Sequence, residues 1–414
     1  MTQPATYRDV FGNSEFRALW AAHVLSVAGD QLARVALTVL VFDRTRSAGW
    51  AALTYAVTFV PDLIGGAALS VVADRYSRRA VMVTADLARA ALVGAMVIPG
   101  LSLISQIALL IGVQLLAVPF GAARTAALPD ILRGDQLTVG IGLISMTYQF
   151  ALVLGFGAGA AVVTGLGTTG ALLVDSATFV VSALVIRLGV GPHRPVARSD
   201  AERRLPHSRS IAAGVRLVAH DRRLRVLLGI ACLSGFYVVA EGLAVPYSAE
   251  IGAGTLGAGW LLAANPLGTV IGMLLLKRIQ PERRLALLGP LAVITCALLV
   301  PTWWAPGLGL TVVLWAVSGA ASAHDMITNS AYVQAAPEHA RAQAVGLAVA
   351  ALRASQGIAI VMAGLLAQVL EPSKVIALAA LGGVVAACAA TLSWSRAVSP
   401  QRAPRGETDE SMSG

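Results

Sequence analysis

Apolar runs of about 20 residues, separated by short polar breaks, recur along nearly the whole chain, and each is long enough to cross roughly 30 Å of hydrocarbon as a helix. Twelve are predicted. The first six centre on Phe16–Phe42, Ala48–Ala73, Ala80–Pro99, Ile104–Ala127, Val139–Gly165 and Gly170–Leu188. The second six centre on Val226–Ala249, Leu256–Leu276, Leu285–Trp303, Leu308–Ala331, Ala342–Val369 and Val375–Trp394. This pattern predicts an all-α membrane protein with twelve transmembrane helices in two six-helix halves.

Composition strengthens the reading: 57% of the 414 residues are hydrophobic and only 13% charged, with a mean hydropathy of +0.74, more apolar surface than a soluble domain can hide. Charge then sets orientation, because short loops rich in Lys and Arg stay in the cytoplasm. The breaks after the even spans carry Arg75, Arg78 and Arg79, then Arg133, then Lys277, Arg278, Arg283 and Arg284, whereas the opposite loops hold Arg44, Arg46 and Lys374. Both termini are therefore expected in the cytoplasm and the chain in the inner, cytoplasmic membrane. The net charge of +9 is spread through these loops and the central linker without interleaved aromatics, so nucleic acid is not an expected partner. The expected partners are the lipid bilayer, a small organic substrate and protons, and the expected state is a monomer.

The polar opening MTQPATYRDVFGNSEFR lacks a short apolar region with a cleavage site, so the first span reads as an uncleaved signal anchor. Cys232, Cys296 and Cys388 each fall inside a span, far apart and without metal-ligand spacing; they read as small apolar fillers. The organisation is an N-terminal six-helix half (1–188), a cytoplasmic linker (189–225), a C-terminal six-helix half (226–396) and a disordered cytoplasmic tail (397–414). The linker holds Pro192, Pro195 and Pro206 and an arginine-rich run from Arg209 that can form an amphipathic surface helix. The two halves open on similar stretches, each with one carboxylate, Asp30 or Glu241, well inside its first span. A duplicated bundle with a site between its halves is a transporter plan.

The stretch Ser70–Arg79, SVVADRYSRR, sets an acid and three arginines between two apolar runs. It resembles the signature GxxxDRxGRR between the second and third helices of the major facilitator superfamily: Asp74, Arg75, Arg78 and Arg79 match, while Ser70 and Ser77 stand where the pattern has glycine. FRALW with Gly29–Asp30, LPDIL at Leu128–Leu132, DSATFVVSAL at Asp175–Leu184, GVRLVAHDRRLRVLL and RAQAVG at Arg341–Gly346 resemble the drug:proton antiporter branch that includes macrolide efflux pumps and the enterobactin exporter. The fifth span carries GFGAG, with Gly155, Gly157 and Gly159, similar to that branch's antiporter signature but with Phe156 in place of its proline. Physically, the first signature reads as a latch in which a carboxylate holds arginines and a helix N-terminus, or as arginines that only fix topology. The glycines read as a helix-packing motif.

Charged residues within the spans supply the candidate chemistry. An isolated charge at mid-membrane costs roughly 2.5–3.5 kcal/mol or more, so Asp30 is the leading proton-coupling candidate. Burial favours its neutral form and Arg34, one turn on, favours the carboxylate; the alternative is a permanent Asp30–Arg34 ion pair. Glu241, followed by Pro246, either sits in the cavity or hydrogen-bonds to a neighbouring helix, and Asp62 after Pro61 is a third candidate. Asp86 and Arg89, three apart, can pair with each other. Arg353 and Gln356 would serve an anionic substrate or hold a carboxylate of the other half. His324 and Asp325 form a proton relay or pack structurally. Tyr148, Gln149, Tyr237 and Asn265, with Trp260 and Trp315, are cavity candidates by their flat apolar faces and polar handles.

No catalytic constellation is present: the chain has no GxxxxGK[ST] loop, HExxH, paired cysteine ligands or GxSxG elbow, so it is not expected to be an enzyme and no cofactor or metal is implied. The resemblance implies a secondary active transporter that exports a drug, antibiotic or other natural product by proton antiport and alternating access. Its alternatives are a dedicated exporter of one endogenous metabolite such as a siderophore, and a transport-inactive scaffold or sensor on the same fold.

Overall fold

A computed structural model describes residues 6–59, 76–192, 207–337 and 340–398. Among them every regular element is helical, and nine helices are long and apolar enough to cross a membrane. Ser70, Asp62, Asp74, Arg75, most of the polar linker and the tail from 399 lie outside the described residues.

A short amphipathic turn, α1 (Tyr7–Gly12), precedes α2 (Ser14–Thr45), the first span. Asn13 caps α2 by accepting from the Glu15 and Phe16 amides at 2.9 and 3.2 Å, which satisfies donors that have no partner within the helix. Next come α3 (Ala48–Val57), α4 (Arg78–Ala95) and α5 (Leu103–Ile131). Four charges, Arg78, Arg79, Asp86 and Arg89, fall within the 18 residues of α4, which is why this third span is not among the nine by apolarity. Ser77, in the position of a signature glycine, caps α4 by accepting from the Ala80 amide at 3.3 Å. The fifth and sixth spans are continuous as α6 (Asp135–Gly189) except at Gly167, whose φ of +71° and ψ of 174° turn the chain between them. Glycine takes that conformation without a Cβ clash.

The arginine-rich linker run forms α7 (His207–His220), and its Val218 is buried in the core of the second half. The predicted seventh span needs correction: it begins before Val226 and is three helices, α8 (Arg222–Cys232), α9 (Ser234–Gly242) and α10 (Ala244–Glu250). Pro246 lacks the N–H that would reach the Gly242 carbonyl, and the helix is broken at Leu243, with φ −105° and ψ 7°. There follow α11 (Gly254–Lys277), α12 (Pro281–Ala297) with a 3-10 turn at Val300–Trp304, α13 (Leu308–Ser322), α14 (His324–Ala335), α15 (Arg341–Leu366) and α16 (Pro372–Val398). The tenth span is thus α13 and α14, broken at Ala323.

The apolar interior is arranged unevenly. One core is shared by both halves and includes Phe156 and Ala160 of α6, Tyr55 of α3, Leu261 of α11 and Ile360 of α15. Two further cores are separate, one around Phe16, Leu19 and Ile131 of the first half and one around Leu224, Leu276 and Tyr332 of the second. The halves therefore meet at one end and part at the other, the end that carries Arg78, Arg133 and Lys277. Close backbone approaches seal the joined end: a Cβ on Gly49 would lie 3.0 Å from the Gly364 carbonyl oxygen, and one on Gly259 would lie 3.2 Å from that of Phe156. Many large apolar side chains, such as Leu154, Leu188 and Val385, point outward, as a surface meeting lipid requires.

Candidate functional site

Six residues of α2, namely His23, Ser26, Val27, Asp30, Gln31 and Arg34, face one cavity of about 290 Å³. Their spacing is that of a single stripe on a helix. Arg89 from α4, Gln114 and Arg124 from α5, Tyr148 from α6 and Arg353 from α15 complete its polar wall.

The floor of this cavity is an ionic cluster. Arg89, 1% exposed, pairs with Asp30 through Nη2 and with Asp86 through Nη1 at 3.3 Å, and donates to Ser26 Oγ at 2.8 Å. Its guanidinium stacks 4.1 Å from the Phe179 ring centroid. Ser182 donates to the other oxygen of Asp86 at 2.5 Å. A guanidinium with five donors in a plane can hold two carboxylates and a hydroxyl at once, so one cation here serves two acids. Asp175 is wholly buried nearby and accepts from Thr178 at 3.4 Å through Oδ1, while its Oδ2 has no hydrogen-bond partner. Gly29 lies against Asp175 and Thr178, which a Cβ there would strike; the small residue before Asp30 lets α6 approach.

The partner of Asp30 is thus Arg89 and not Arg34, while the Asp86–Arg89 pair forms as the three-residue spacing predicts. Arg34 turns instead toward aromatic rings, 5.1 Å from the centroid of Tyr55 and 6.0 Å from that of Phe59. The Tyr55 hydroxyl donates to Glu241 Oε2 at 2.8 Å, so Glu241 hydrogen-bonds to a neighbouring helix of the other half. Arg353 lies 5.7 Å from the Phe59 centroid and donates to Gln356 Oε1 at 3.3 Å. Arg124 donates to His23 Nδ1, and the His23 ring stacks on Tyr148 at 6.5 Å.

A second, larger cavity of about 580 Å³ lies between the halves toward the open end. Its wall is largely apolar, with Met146 and Phe150 of α6, Met273 of α11, Met326 of α14 and Leu352 of α15, and its polar members include Gln149, Asp325 and Gln356. Asp325 accepts from the Tyr237 hydroxyl. His324 is wholly buried; its Nδ1 lies 3.1 Å from Asp325 Oδ1, yet neither ring nitrogen makes a hydrogen bond.

Several sequence candidates fall elsewhere. Trp260 is 62% exposed on the outer surface, and Trp315 is buried against Tyr247 with ring centroids 6.0 Å apart; neither lines these two cavities. Tyr237 reaches the larger cavity through Asp325, and the Asn265 side-chain Oδ1 accepts from Thr269 Oγ1 on its own helix at 3.4 Å. Gly155 and Gly159 pack on α2, where added Cβ atoms would meet Ala28 O at 2.9 Å and Leu32 Cα at 3.2 Å, whereas Gly157 faces open space. Arg78 pairs with Asp130 at the end of α5 and also donates to the Ala126 carbonyl, while Arg79 donates to the Val190 carbonyl at 3.3 Å. Asp74, Arg75 and Asp62 lie outside the described residues.

The sequence reading missed His23, Arg124, Tyr55, Asp175 and Ser182. The α2 stripe was the available signal for His23, since it sits seven residues before Asp30 on the same helical face.

Comparison with known proteins follows the same lines. The family model described as Major Facilitator Superfamily matches residues 19–356. A protein of Bacillus subtilis named as an uncharacterized MFS-type transporter, YkuC, is 25% identical over 348 residues, covering 77% of this chain and 76% of its own. The multidrug efflux pump Tap of Mycobacterium tuberculosis is 27% identical over 365 residues, covering 83% and 84%. Among solved structures, the nucleoside transporter NupG superposes with a TM-score of 0.75 at 15% identity over 92% of this chain and 100% of its own. A POT family transporter in complex with 5-aminolevulinic acid gives 0.75 at 12% identity over 96% and 99%.

Proposed function

This chain belongs to the Major Facilitator Superfamily and is a multi-pass membrane transporter, not an enzyme, and from that premise we propose that it exports a small organic compound across the cytoplasmic membrane in exchange for protons. The observation that carries the reading is the Asp30–Arg89–Asp86 cluster at the floor of a cavity that lies between the helices of a bundle parted at one end. Exchange needs a group that a proton and a substrate-loaded state compete for. Asp30, the cluster acid on the cavity wall, is that group.

In the arrangement described, Asp30 is paired with Arg89 and the cavity side is open toward the arginine-bearing face, which the positive-inside rule assigns to the cytoplasm. That is the form that would load substrate from within. A proton reaching Asp30 from the other side removes its charge and leaves Arg89 to Asp86 alone, which changes the contacts between α2 and α4. Because a ligand shifts an equilibrium only by its differential affinity for the two states, this altered pairing is what would tie the proton to the rocking of residues 1–188 against 226–396. The efflux pump among the relatives supports the outward direction.

The test is growth of an efflux-deficient bacterial host on a panel of antibiotics and dyes, expressing either this chain or its Asp30→Asn variant at equal membrane levels. Resistance conferred by the chain and lost in the variant is the expected result. Resistance that survives the substitution rejects Asp30 as the coupling group, and proton uptake by vesicles independent of any transported compound rejects exchange.

A further inference from the structure

Four arginines, Arg34, Arg89, Arg124 and Arg353, line the smaller cavity against one carboxylate, Asp30, among its described lining residues. Arg89 is committed to Asp30 and Asp86. Arg124 donates to an imidazole, and Arg34 faces two rings, so neither of those contacts supplies an opposing charge; the Nε atoms of both are buried without a hydrogen-bond partner. Glu241, the acid that accepts the Tyr55 hydroxyl, lies within electrostatic reach of Arg34 and Arg353, which leaves Arg124 as the lining arginine farthest from any described acid's influence. Like charges gathered in a space poor in water repel one another, and an oxyanion there would gain charge-assisted, bidentate hydrogen bonds from guanidinium groups.

The larger cavity is of a different character. Met146, Met273 and Met326 give it a soft, adaptable apolar wall, and its charged members, Asp325 and Lys277, are of opposite sign. The two cavities adjoin: Tyr148 lines the first and Gln149 the second, and the hydrogen bond from Arg353 to Gln356 runs from one lining to the other. We propose that the exported compound is an amphiphilic organic anion, with its carboxylate, sulfonate or phosphate on Arg124 and Arg34 and its apolar body among the methionines. This inference rests on the export reading and adds the substrate class to it.

Fluorescein and rhodamine 123 share a xanthene frame but carry opposite charge near neutral pH, and they serve as probes. Fluorescence anisotropy with the purified full chain in lipid nanodiscs should show saturable fluorescein binding at least about tenfold tighter than that of rhodamine 123. Arg34→Gln and Arg124→Gln should each weaken fluorescein by about tenfold or more, the cost expected for losing a charge-assisted contact. Arg34→Lys and Arg124→Lys, which keep the charge and guard against a misfolded variant, should fall between. Rhodamine binding as tight as fluorescein, no saturable fluorescein binding, or unchanged affinity in monodisperse glutamine variants overturns the proposal. Export of a cationic compound lost in Asp30→Asn would sink the anion inference and leave the export reading intact; fluorescein binding without any coupled transport would do the reverse.

Discussion

The Tyr55 hydroxyl donates to Glu241 Oε2 at 2.8 Å, joining α3 of the first half to α9 of the second across 186 residues of sequence. It lies within the shared core, where the halves meet, and between the two cavities and the end sealed by the Gly49–Gly364 approach. A bond in that position ties the two halves together on the sealed side of the cavities.

Replacing Tyr55 by Phe keeps the ring and removes the donor. Loss of a buried hydrogen bond is worth about 0.5–1.5 kcal/mol, or roughly two- to tenfold in an equilibrium, so Tyr55→Phe should raise the population open at the far side. Spin labels at Trp50→Cys and Val369→Cys, on a background with the three native cysteines replaced by alanine, should report a longer separation in the variant. An unchanged distance distribution would show that the bond does not bias the two states.

Arg89 serves two acids, so removing it should cost more than removing either acid. Leaving buried carboxylates without their cation costs about 3–5 kcal/mol. Arg89→Gln should lower the thermal unfolding midpoint of the purified chain well below that of Asp30→Asn, and the double variant should be less destabilised than the sum of the two. Strict additivity would mean that the pair seen at the cavity floor contributes no coupling.

Two glycines of one motif should behave oppositely. An alanine at Gly155 meets Gln31 Cβ at 2.7 Å and the Ala28 carbonyl oxygen at 2.9 Å, whereas an alanine at Gly157 meets nothing within 4 Å. Gly155→Ala should destabilise by about 1–3 kcal/mol through overpacking, and Gly157→Ala should be neutral or stabilise by up to about 1 kcal/mol through helix propensity. Unfolding of both variants in the same detergent decides it, and equal effects would contradict the observed face of contact.

Ser77 takes the place of a signature glycine and caps α4. Ser77→Ala should cost about 0.5–2 kcal/mol and Ser77→Gly only a few tenths, read as protease sensitivity near Arg78 and as unfolding midpoint. A glycine variant as weak as the alanine one would assign the effect to something other than the cap.

The spans, their polar breaks and the unequal arginine loops were legible in the sequence because a bilayer imposes one-dimensional constraints: a helix must be long and apolar to cross, and cations favour one side. The charges at Asp30, Asp86, Arg89, Glu241 and Arg353 stood out for the same reason, as costly exceptions within apolar runs. Partners did not. In lipid the outer face of a helix is as apolar as its packed face, so the pattern that fixes rotation in a soluble protein is weak, and only the packing of α2 against α4 and α6 gave Asp30 to Arg89 and turned Arg34 toward Tyr55 and Phe59. The same absence of a rotational signal hid Arg124, sent Trp260 outward and Trp315 inward, and left Gly155 in contact while Gly157 was not. The sequence by itself determined that the chain is built of apolar helices that cross a membrane many times; the tertiary structure decided which charges meet, because that depends on helix rotation and on contacts between residues far apart in the chain.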